Sequence, residues 1–154
     1  MDGEVLNGLT LDDMKVGDLP AVIQIEHDSF TTPWSETSFF NELKNPRSIV
    51  KVARKDAKVV GYICAGWIID EGHILDVAVH AEFRRLGIAS MLTEKIIGRL
   101  REEGCRDIFL EVRASNEAAR KMYCKYNFKE LGTRKDYYVS PVEDAVIMVL
   151  KFGE

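Results

Sequence analysis

A short basic turn in the middle of the chain carries the residues best suited to hold a phosphate group. The apolar run Val77-Ala78-Val79 precedes this turn. The turn itself, which opens a helix, consists of Arg84, Arg85, Leu86, Gly87, Ile88, Ala89 and Ser90. The first turn of a helix leaves backbone N–H groups unpaired and carries partial positive charge, so it favours an anion. Because Gly87 and Ala89 keep side-chain bulk away and two arginines add charge, the turn predicts binding of a pyrophosphate-bearing cofactor.

A glycine between a strand and a helix also occurs for purely structural reasons, and this alternative stays open on these residues alone. The turn lacks the GxGxxG pattern of dinucleotide-binding folds and the GKS or GKT of a P-loop. The sequence therefore favours neither of these two nucleotide-binding classes.

A second group of residues with suitable chemistry lies further along the chain, in a predicted strand and the helix that follows it. Strand alternation places Glu111 on the face opposite to the apolar residues of 108–112, as a carboxylate held in the middle of a sheet. Glu111 could instead pair with Arg113 or face solvent. Tyr123 falls on the apolar face of the predicted helix, so it could be a core aromatic. Asn116 could simply cap that helix.

The elements that position these residues can be read from hydrophobic periodicity and from turn residues. A turn is expected at Glu71-Gly72. Strands are predicted over residues 5–10, 49–53, 59–69, 73–79, 108–113, 129–138 and 145–152, and helices over 18–29, 35–45, 88–104 and 116–126. Because strands and helices do not alternate throughout, this order predicts a mixed α/β sheet with helices on both faces rather than a doubly wound sheet.

Composition excludes several classes of protein. The length of 154 residues fits one domain, expected to span residues 1–154. A net charge of −4 without a basic stripe argues against a nucleic-acid partner. No apolar run approaches the roughly 20 residues that cross a bilayer, and no signal peptide is recognised, so no membrane partner is expected.

The cysteines and histidines predict neither a metal site nor disulfide bonds. Cys64, Cys105 and Cys124 form no CxxC pair, and the three histidines show no ligand spacing, so no metal is expected. Free thiols favour a reducing compartment, here the cytoplasm, and the cysteines are expected to be small buried side chains. Nothing in the sequence indicates an oligomeric state, and a monomer is compatible with it.

Several motifs resemble one protein family. The strand, the turn Arg84-x-x-Gly87-x-Ala89 and the amphipathic helix resemble the acetyl-CoA motif of the GNAT superfamily of N-acetyltransferases, with Ala89 where many members have glycine. Further motifs resemble the RimI type within it, the bacterial ribosomal-protein alanine N-acetyltransferases. These are Pro33-Trp34-Ser35, Leu110-Glu111-Val112-Arg113-Ala114-Ser115-Asn116, Tyr123, Asn127-Phe128, Tyr137-Tyr138 and Glu143-Asp144-Ala145. The resemblance runs from about residue 18 to 150 in family order, and it implies the GNAT fold, with a mixed, mostly antiparallel sheet of about seven strands.

The resemblance also implies a role for each matching residue. Glu111 matches the general base and Tyr123 the acid that protonates the departing CoA thiolate. The backbone of residues 77–79 matches the strand that pairs with the pantetheine arm, residues 85–90 the pyrophosphate site, and Asn116 a cofactor contact near the thioester. Trp34, Tyr137 and Tyr138 match segments that wall the peptide channel.

The expected activity is transfer of an acetyl group from acetyl-CoA, without a metal, to the N-terminal α-amino group of a protein. The N-terminal alanine of a small-subunit ribosomal protein is the expected acceptor. One alternative is an acetyltransferase of small amines such as polyamines or amino sugars. A second alternative, from another class, is a non-catalytic module that binds acyl-CoA and regulates a partner.

Overall fold

The computed structural model of the chain describes residues 7–152. This part of the chain contains seven strands and four α-helices. The strands are β1 (Leu9–Asp13), β2 (Ser48–Lys55), β3 (Lys58–Ile68), β4 (Glu71–Val79), β5 (Asp107–Arg113), β6 (Lys129–Val139) and β7 (Val142–Lys151). The helices are α1 (Leu19–Ser29), α2 (Glu36–Lys44), α3 (Ile88–Glu102) and α4 (Glu117–Lys125).

The seven strands form one sheet in the order β1-β2-β3-β4-β5-β7-β6. Every neighbouring pair is antiparallel except β4 and β5, which are parallel and pair over only three residues, from Glu71 opposite Asp107 to His73 opposite Phe109. The expectation of a mixed, mostly antiparallel sheet of about seven strands is therefore confirmed. Beyond His73 and Phe109 the two strands have no further pairing, which leaves a gap between β4 and β5.

The backbone of β4 faces this gap with groups that no strand pairs. The His80 N–H donates to the Val60 carbonyl on β3 at 2.8 Å. Because N–H groups alternate in direction along an antiparallel ladder, those of Val77 and Val79 point away from β3 and into the gap. The Val79 carbonyl agrees with this direction, since it accepts a bond from Arg84 Nε at 3.0 Å rather than from a strand.

Helices cover both faces of the sheet, as expected. α3 and α4 pack on one face, where the side chains that recur every four residues of α3 are all buried: Ile88, Leu92, Ile96 and Leu100. α1 and α2 pack on the other face over β2, β3 and β4, with a core that includes Leu19, Val22, Ile25, Phe39 and Tyr62. The gap between β4 and β5 therefore lies between one face covered by α3 and α4 and another covered by α1 and α2.

Two predicted boundaries were wrong. Of the strand predicted over 5–10, residues 5 and 6 lie outside the described residues, and Gly8 forms a turn with a φ of +81°, so β1 begins only at Leu9. The turn predicted at Glu71-Gly72 lies two residues earlier, where Ile69 takes a φ of +56°. Gly72 is instead buried in β4, and a Cβ on it would lie 3.0 Å from Leu100 on α3, so this glycine permits close helix packing.

The cysteines are free thiols, as expected, but only Cys64 and Cys105 are buried. Cys124 is exposed, because its neighbour Tyr123 occupies the buried face of α4. Within residues 7–152, no three His, Cys, Asp or Glu side chains are arranged to hold a metal ion. The same residues contain no helix of sufficient length and hydropathy to span a membrane.

Candidate active site

The predicted phosphate site lies where β4 leads into α3. Gly87 precedes the helix in the left-handed conformation, with a φ of +85°, and no side chain in the described part of the chain caps the helix. The first helical hydrogen bond runs from the Met91 N–H to the Gly87 carbonyl at 3.0 Å, so the N–H groups of Ile88 and Ala89 lack helical acceptors. Because the Ile88 side chain is buried, this turn presents main chain to an anion at the end of the gap.

The two arginines of this turn have different surroundings. The guanidinium of Arg84 donates to the Val79 carbonyl at 3.0 Å and to the Ser29 hydroxyl at 3.2 Å. Arg84 therefore ties the turn to the end of β4 and to α1. Arg85 is exposed and has a φ of +64°. Because the Arg84 guanidinium is held by Val79 and Ser29, the guanidinium of Arg85 is the more accessible positive charge.

Glu111 lies on β5 opposite Ile147 of β7, on the predicted face of the strand. It does not pair with Arg113, whose guanidinium instead donates to the Pro141 carbonyl at 3.0 Å and to Glu143 at 3.2 Å. The Glu111 side chain is exposed, which agrees with the alternative that it faces solvent. The reason is that α1 and α2 cover β2 to β4 and leave this part of the sheet open.

Tyr137 and Tyr138, from the end of β6, lie beside Glu111. Their rings meet edge to face with centroids 5.1 Å apart, and the Arg113 guanidinium lies 4.4 Å from the centroid of the Tyr138 ring. Burial, and then the Glu111 carboxylate, raises the pKa of Tyr137. The same two causes raise the pKa of Tyr138 to about 12. The structure thus brings these three predicted site residues together.

Tyr123 lies on α4, in the core on the opposite face of the sheet from Glu111. Its ring packs edge to face against Phe128 with centroids 5.5 Å apart, which confirms the expectation of a core aromatic. Burial raises the pKa of the Tyr123 phenol, and the charges of Asp76 and Tyr138 raise it further. The phenol is therefore protonated at neutral pH, as a proton donor must be.

Asn116 begins α4 and caps it. Its Oδ1 accepts from the Ala119 N–H at 3.2 Å, which confirms the capping expectation, and its side chain is exposed. The neighbouring Ser115 N–H donates to Glu143 at 2.6 Å, so β7 fixes the start of this helix. A contact between Asn116 and a cofactor stays a prediction.

Trp34 lies in the segment between α1 and α2 and is half-buried against Phe39, with ring centroids 5.2 Å apart. In the same segment the Thr31 hydroxyl donates to the Ser140 carbonyl, in the turn that joins β6 to β7. The two segments predicted to wall a peptide channel are therefore in contact, although they are more than a hundred residues apart in sequence.

Sequence reasoning missed a group of buried polar side chains behind these segments. Glu26 is buried on α1 and accepts from the Trp34 N–H at 2.8 Å and from the Tyr62 hydroxyl at 2.6 Å. Asp76 on β4 lies close by, and its Oδ2 is buried without a hydrogen-bond partner in residues 7–152. A signal was present, because Glu26 falls seven residues after Leu19 on the apolar face of α1 and Asp76 interrupts an apolar strand.

This combination of a split parallel strand pair and an open helix N-terminus defines a class of acyl-transferring enzyme. The chain belongs to the acetyltransferase (GNAT) family, whose sequence pattern matches residues 19–128. The family resemblance found in the motifs is thereby confirmed, and enzymes of this family use acetyl-CoA as the acetyl donor.

Particular relatives are similar over almost the whole chain. A protein of Bacillus subtilis, provisionally named ribosomal protein bS18-alanine N-acetyltransferase, is 36% identical over 143 residues, covering 92% of this chain and 94% of the relative. The Salmonella typhimurium ribosomal protein bS18-alanine N-acetyltransferase is 35% identical, with 92% and 96% covered. The crystal structure of the Escherichia coli ribosomal-protein-S18-alanine N-acetyltransferase superposes with a TM-score of 0.87 at 31% identity, covering 95% of each chain.

Proposed function

We propose that this chain, as a single GNAT domain over residues 1–154, transfers the acetyl group of acetyl-CoA to the N-terminal α-amino group of a protein in the cytoplasm. The proposed acceptor is the N-terminal alanine of a small-subunit ribosomal protein, since relatives that cover most of the chain are named for that activity. The observation that carries the proposal is the gap between β4 and β5. A main-chain anion site lies at its end, and the Glu111 carboxylate lies on one face of the sheet.

The fit of acetyl-CoA to the gap rests on unpaired backbone. The pantetheine arm is an amide chain, and the outward N–H groups of Val77 and Val79 could pair with it as a neighbouring strand would. Ala78 lies between them and faces the core. The pyrophosphate would then reach the N-terminus of α3, with Arg84 and Arg85 beside it and Leu86, Ile88 and Ser90 contributing main chain. Asn116, at the start of α4, is the proposed contact near the thioester.

Glu111 is the proposed general base. An α-amino group has a pKa of about 7.7 to 8.0, so most of it is protonated at neutral pH and cannot attack a thioester. A carboxylate on the open face of β5 can take that proton directly or through one water. Because Glu111 is exposed in the chain alone, substrate binding would have to supply the desolvation that makes it a stronger base.

Tyr123 is the proposed acid, on the other side of the same gap. The amine would approach from the Glu111 face, while the sulfur leaves on the face where Tyr123 lies. A phenol that stays protonated at neutral pH can donate to the departing thiolate. Negative charge that develops on the acetyl oxygen could be stabilised by the Val77 N–H. The cysteines have no role in this direct transfer.

The acceptor channel is proposed to lie between Trp34 and the Tyr137-Tyr138 pair. Tyr137 and Tyr138 lie beside Glu111, and the Thr31 contact with Ser140 joins the segment that carries Trp34 to the turn that follows the tyrosine pair. Both segments resemble the peptide-channel segments of the RimI type. This favours a protein N-terminus over a polyamine or an amino sugar.

A substrate panel tests the proposal. The purified chain is incubated with acetyl-CoA and a peptide that begins with alanine, the same peptide blocked at its N-terminus but carrying a lysine, spermidine, or an aminoglycoside. Mass spectrometry is expected to find acetylation of the first peptide alone, on its α-amino group. Acetylation of the small amines only would support the small-amine alternative, and binding of acetyl-CoA without any turnover would support the regulatory alternative.

A further inference from the structure

The group formed by Glu26, Tyr62 and Asp76 lies between the Trp34 segment and the Val77 backbone, and it has no part in the mechanism above. Glu26 is 1% exposed on α1 and contacts the Trp34 segment through its backbone bond. Asp76 lies on β4 directly before Val77 and opposite Cys64 of β3. Tyr62 lies two residues from Cys64 on the same face of β3, and its hydroxyl donates to Glu26. The carboxyl groups of Glu26 and Asp76 therefore lie on the same face of the sheet, next to each other.

These two carboxyl groups cannot both be ionised at low cost. Two buried carboxylates in contact repel each other, and the arrangement is relieved when one proton is held between them. None of the ion pairs formed by residues 7–152 includes Glu26 or Asp76. The buried Asp76 Oδ2 has no hydrogen-bond partner among residues 7–152, and such a proton explains this, because a protonated carboxyl can donate to a neighbouring carboxylate.

The other titratable groups around the pair are neutral or negative. Tyr62 and Cys64 face it from β3, Tyr123 from α4, and Glu42 of α2 lies near Cys64. Burial, and then Glu26, raises the pKa of Asp76, while the Val77 N–H opposes part of this rise. The neighbourhood therefore supplies no positive charge that would favour losing the shared proton.

We propose that Glu26 and Asp76 are positioning residues that hold one proton between them and so keep the Trp34 segment and the Val77 backbone at a fixed separation. This inference rests on the proposed function. Glu26 acts through Trp34, at the wall of the peptide channel. Asp76 acts through Val77, because a neutral carboxyl leaves the Val77 N–H free for the acetyl oxygen, whereas an ionised one attracts it.

The experiment compares Asp76→Asn with the unsubstituted enzyme over a range of pH. An N-terminally acetylated peptide serves as a competitive inhibitor, because it has no amino group whose own titration would obscure the result. Between about pH 7 and about pH 10, inhibition of the unsubstituted enzyme is expected to weaken about 10-fold, as the pair loses its proton and separates. In Asp76→Asn the inhibition constant is expected to stay flat, because an amide donates but does not ionise. Equal pH profiles would overturn the proposal.

Asp28→Asn is the control, since Asp28 is an exposed carboxylate on α1, the helix that carries Glu26. It is expected to follow the unsubstituted profile, and a flat profile in this variant would contradict the assignment to Asp76. Glu26→Gln provides a second test, because it removes one of the two carboxyl groups that share the proton but keeps an acceptor for the Trp34 N–H. It is expected to flatten the profile as well, and a profile equal to that of the unsubstituted enzyme would count against the pair.

A stability measurement separates this proposal from the proposed function. The folded pKa of Asp76 is raised above its usual 3.8, so the folded state keeps a proton that the unfolded state loses. Unfolding free energy should therefore fall as pH rises from 3.8 toward the raised folded pKa, and Asp76→Asn should remove that fall. The result needs no substrate. If no peptide is acetylated, the proposed function is wrong. If the unfolding free energy from urea titrations depends on pH in the same way in both proteins, the shared proton is wrong.

Discussion

The two sides of the gap are built in different ways. The proposed cofactor side, residues 77–90, is continuous in sequence and presents main chain from the edge of β4 and the N-terminus of α3. The proposed acceptor side gathers Trp34, Glu111, Tyr137 and Tyr138 from three distant segments, and the Thr31 contact with Ser140 spans 109 positions. A local turn can form a phosphate site from backbone geometry alone, whereas a peptide channel depends on how separate elements pack.

This difference predicts where substitutions act. On the cofactor side, a side chain matters mainly through the backbone conformation that it permits, so changes should alter acetyl-CoA affinity by modest factors. On the acceptor side, each side chain supplies a group that the backbone cannot replace. Changes there should alter turnover or peptide affinity and leave acetyl-CoA binding intact.

The largest effect is expected for Glu111→Gln. The amide cannot remove a proton from the amine, so turnover should fall by about 10²- to 10⁴-fold, the usual contribution of a general base. Calorimetric affinity for acetyl-CoA should be unchanged, because Glu111 lies outside the cofactor side. The matched control is Glu94→Gln, an exposed carboxylate on α3, which should retain turnover. Full activity of Glu111→Gln would exclude Glu111 as the base.

Tyr123→Phe is expected to have the next largest effect. The substitution removes only the hydroxyl and keeps the ring against Phe128, so thermal unfolding should be little changed. Turnover should fall by about 10²-fold, the lower end for general acid catalysis, because a thiol with a pKa of about 8.5 leaves readily even without full protonation. Turnover at the unsubstituted level together with unchanged stability would leave Tyr123 with its packing role only.

The fold could be predicted largely from the sequence because its elements have local signals. The four-residue spacing in α3 and the alternation in β5 placed their buried faces correctly. The turn at Gly72 was placed wrongly, since a glycine indicates a turn and a close contact equally well. Which of the two applies depends on Leu100, which approaches Gly72 only after α3 has packed on the sheet.

The candidate site could be predicted less completely. The turn of residues 84–90 was found from its own composition, but the use of the Arg84 guanidinium to bind Val79 and Ser29 was not. The sequence left open whether Glu111 pairs with Arg113 or faces solvent, because the answer depends on where α1 and α2 end across the sheet. Both points concern contacts between elements that no local pattern encodes.

The smallest effect, and the sharpest test of the cofactor side, is expected for Gly87→Ala measured against Gly98→Ala. A Cβ at either glycine would meet no atom within 4 Å, so the two sites differ mainly in backbone conformation. Gly87 has a φ of +85°, which costs a residue with a Cβ about 1–2 kcal/mol, and the turn should relax away from that geometry. Gly98 lies within α3, where alanine is favoured over glycine.

Titration calorimetry should therefore find acetyl-CoA affinity lowered by about 10-fold in Gly87→Ala, which corresponds to about 1.4 kcal/mol. Gly98→Ala should bind as the unsubstituted chain does and unfold at a higher temperature. The inhibition constant of an acetylated peptide should change in neither variant, because neither glycine belongs to the acceptor side. If Gly87→Ala instead weakened the peptide and left acetyl-CoA unaffected, the division of the gap into a main-chain side and a side-chain side would be wrong.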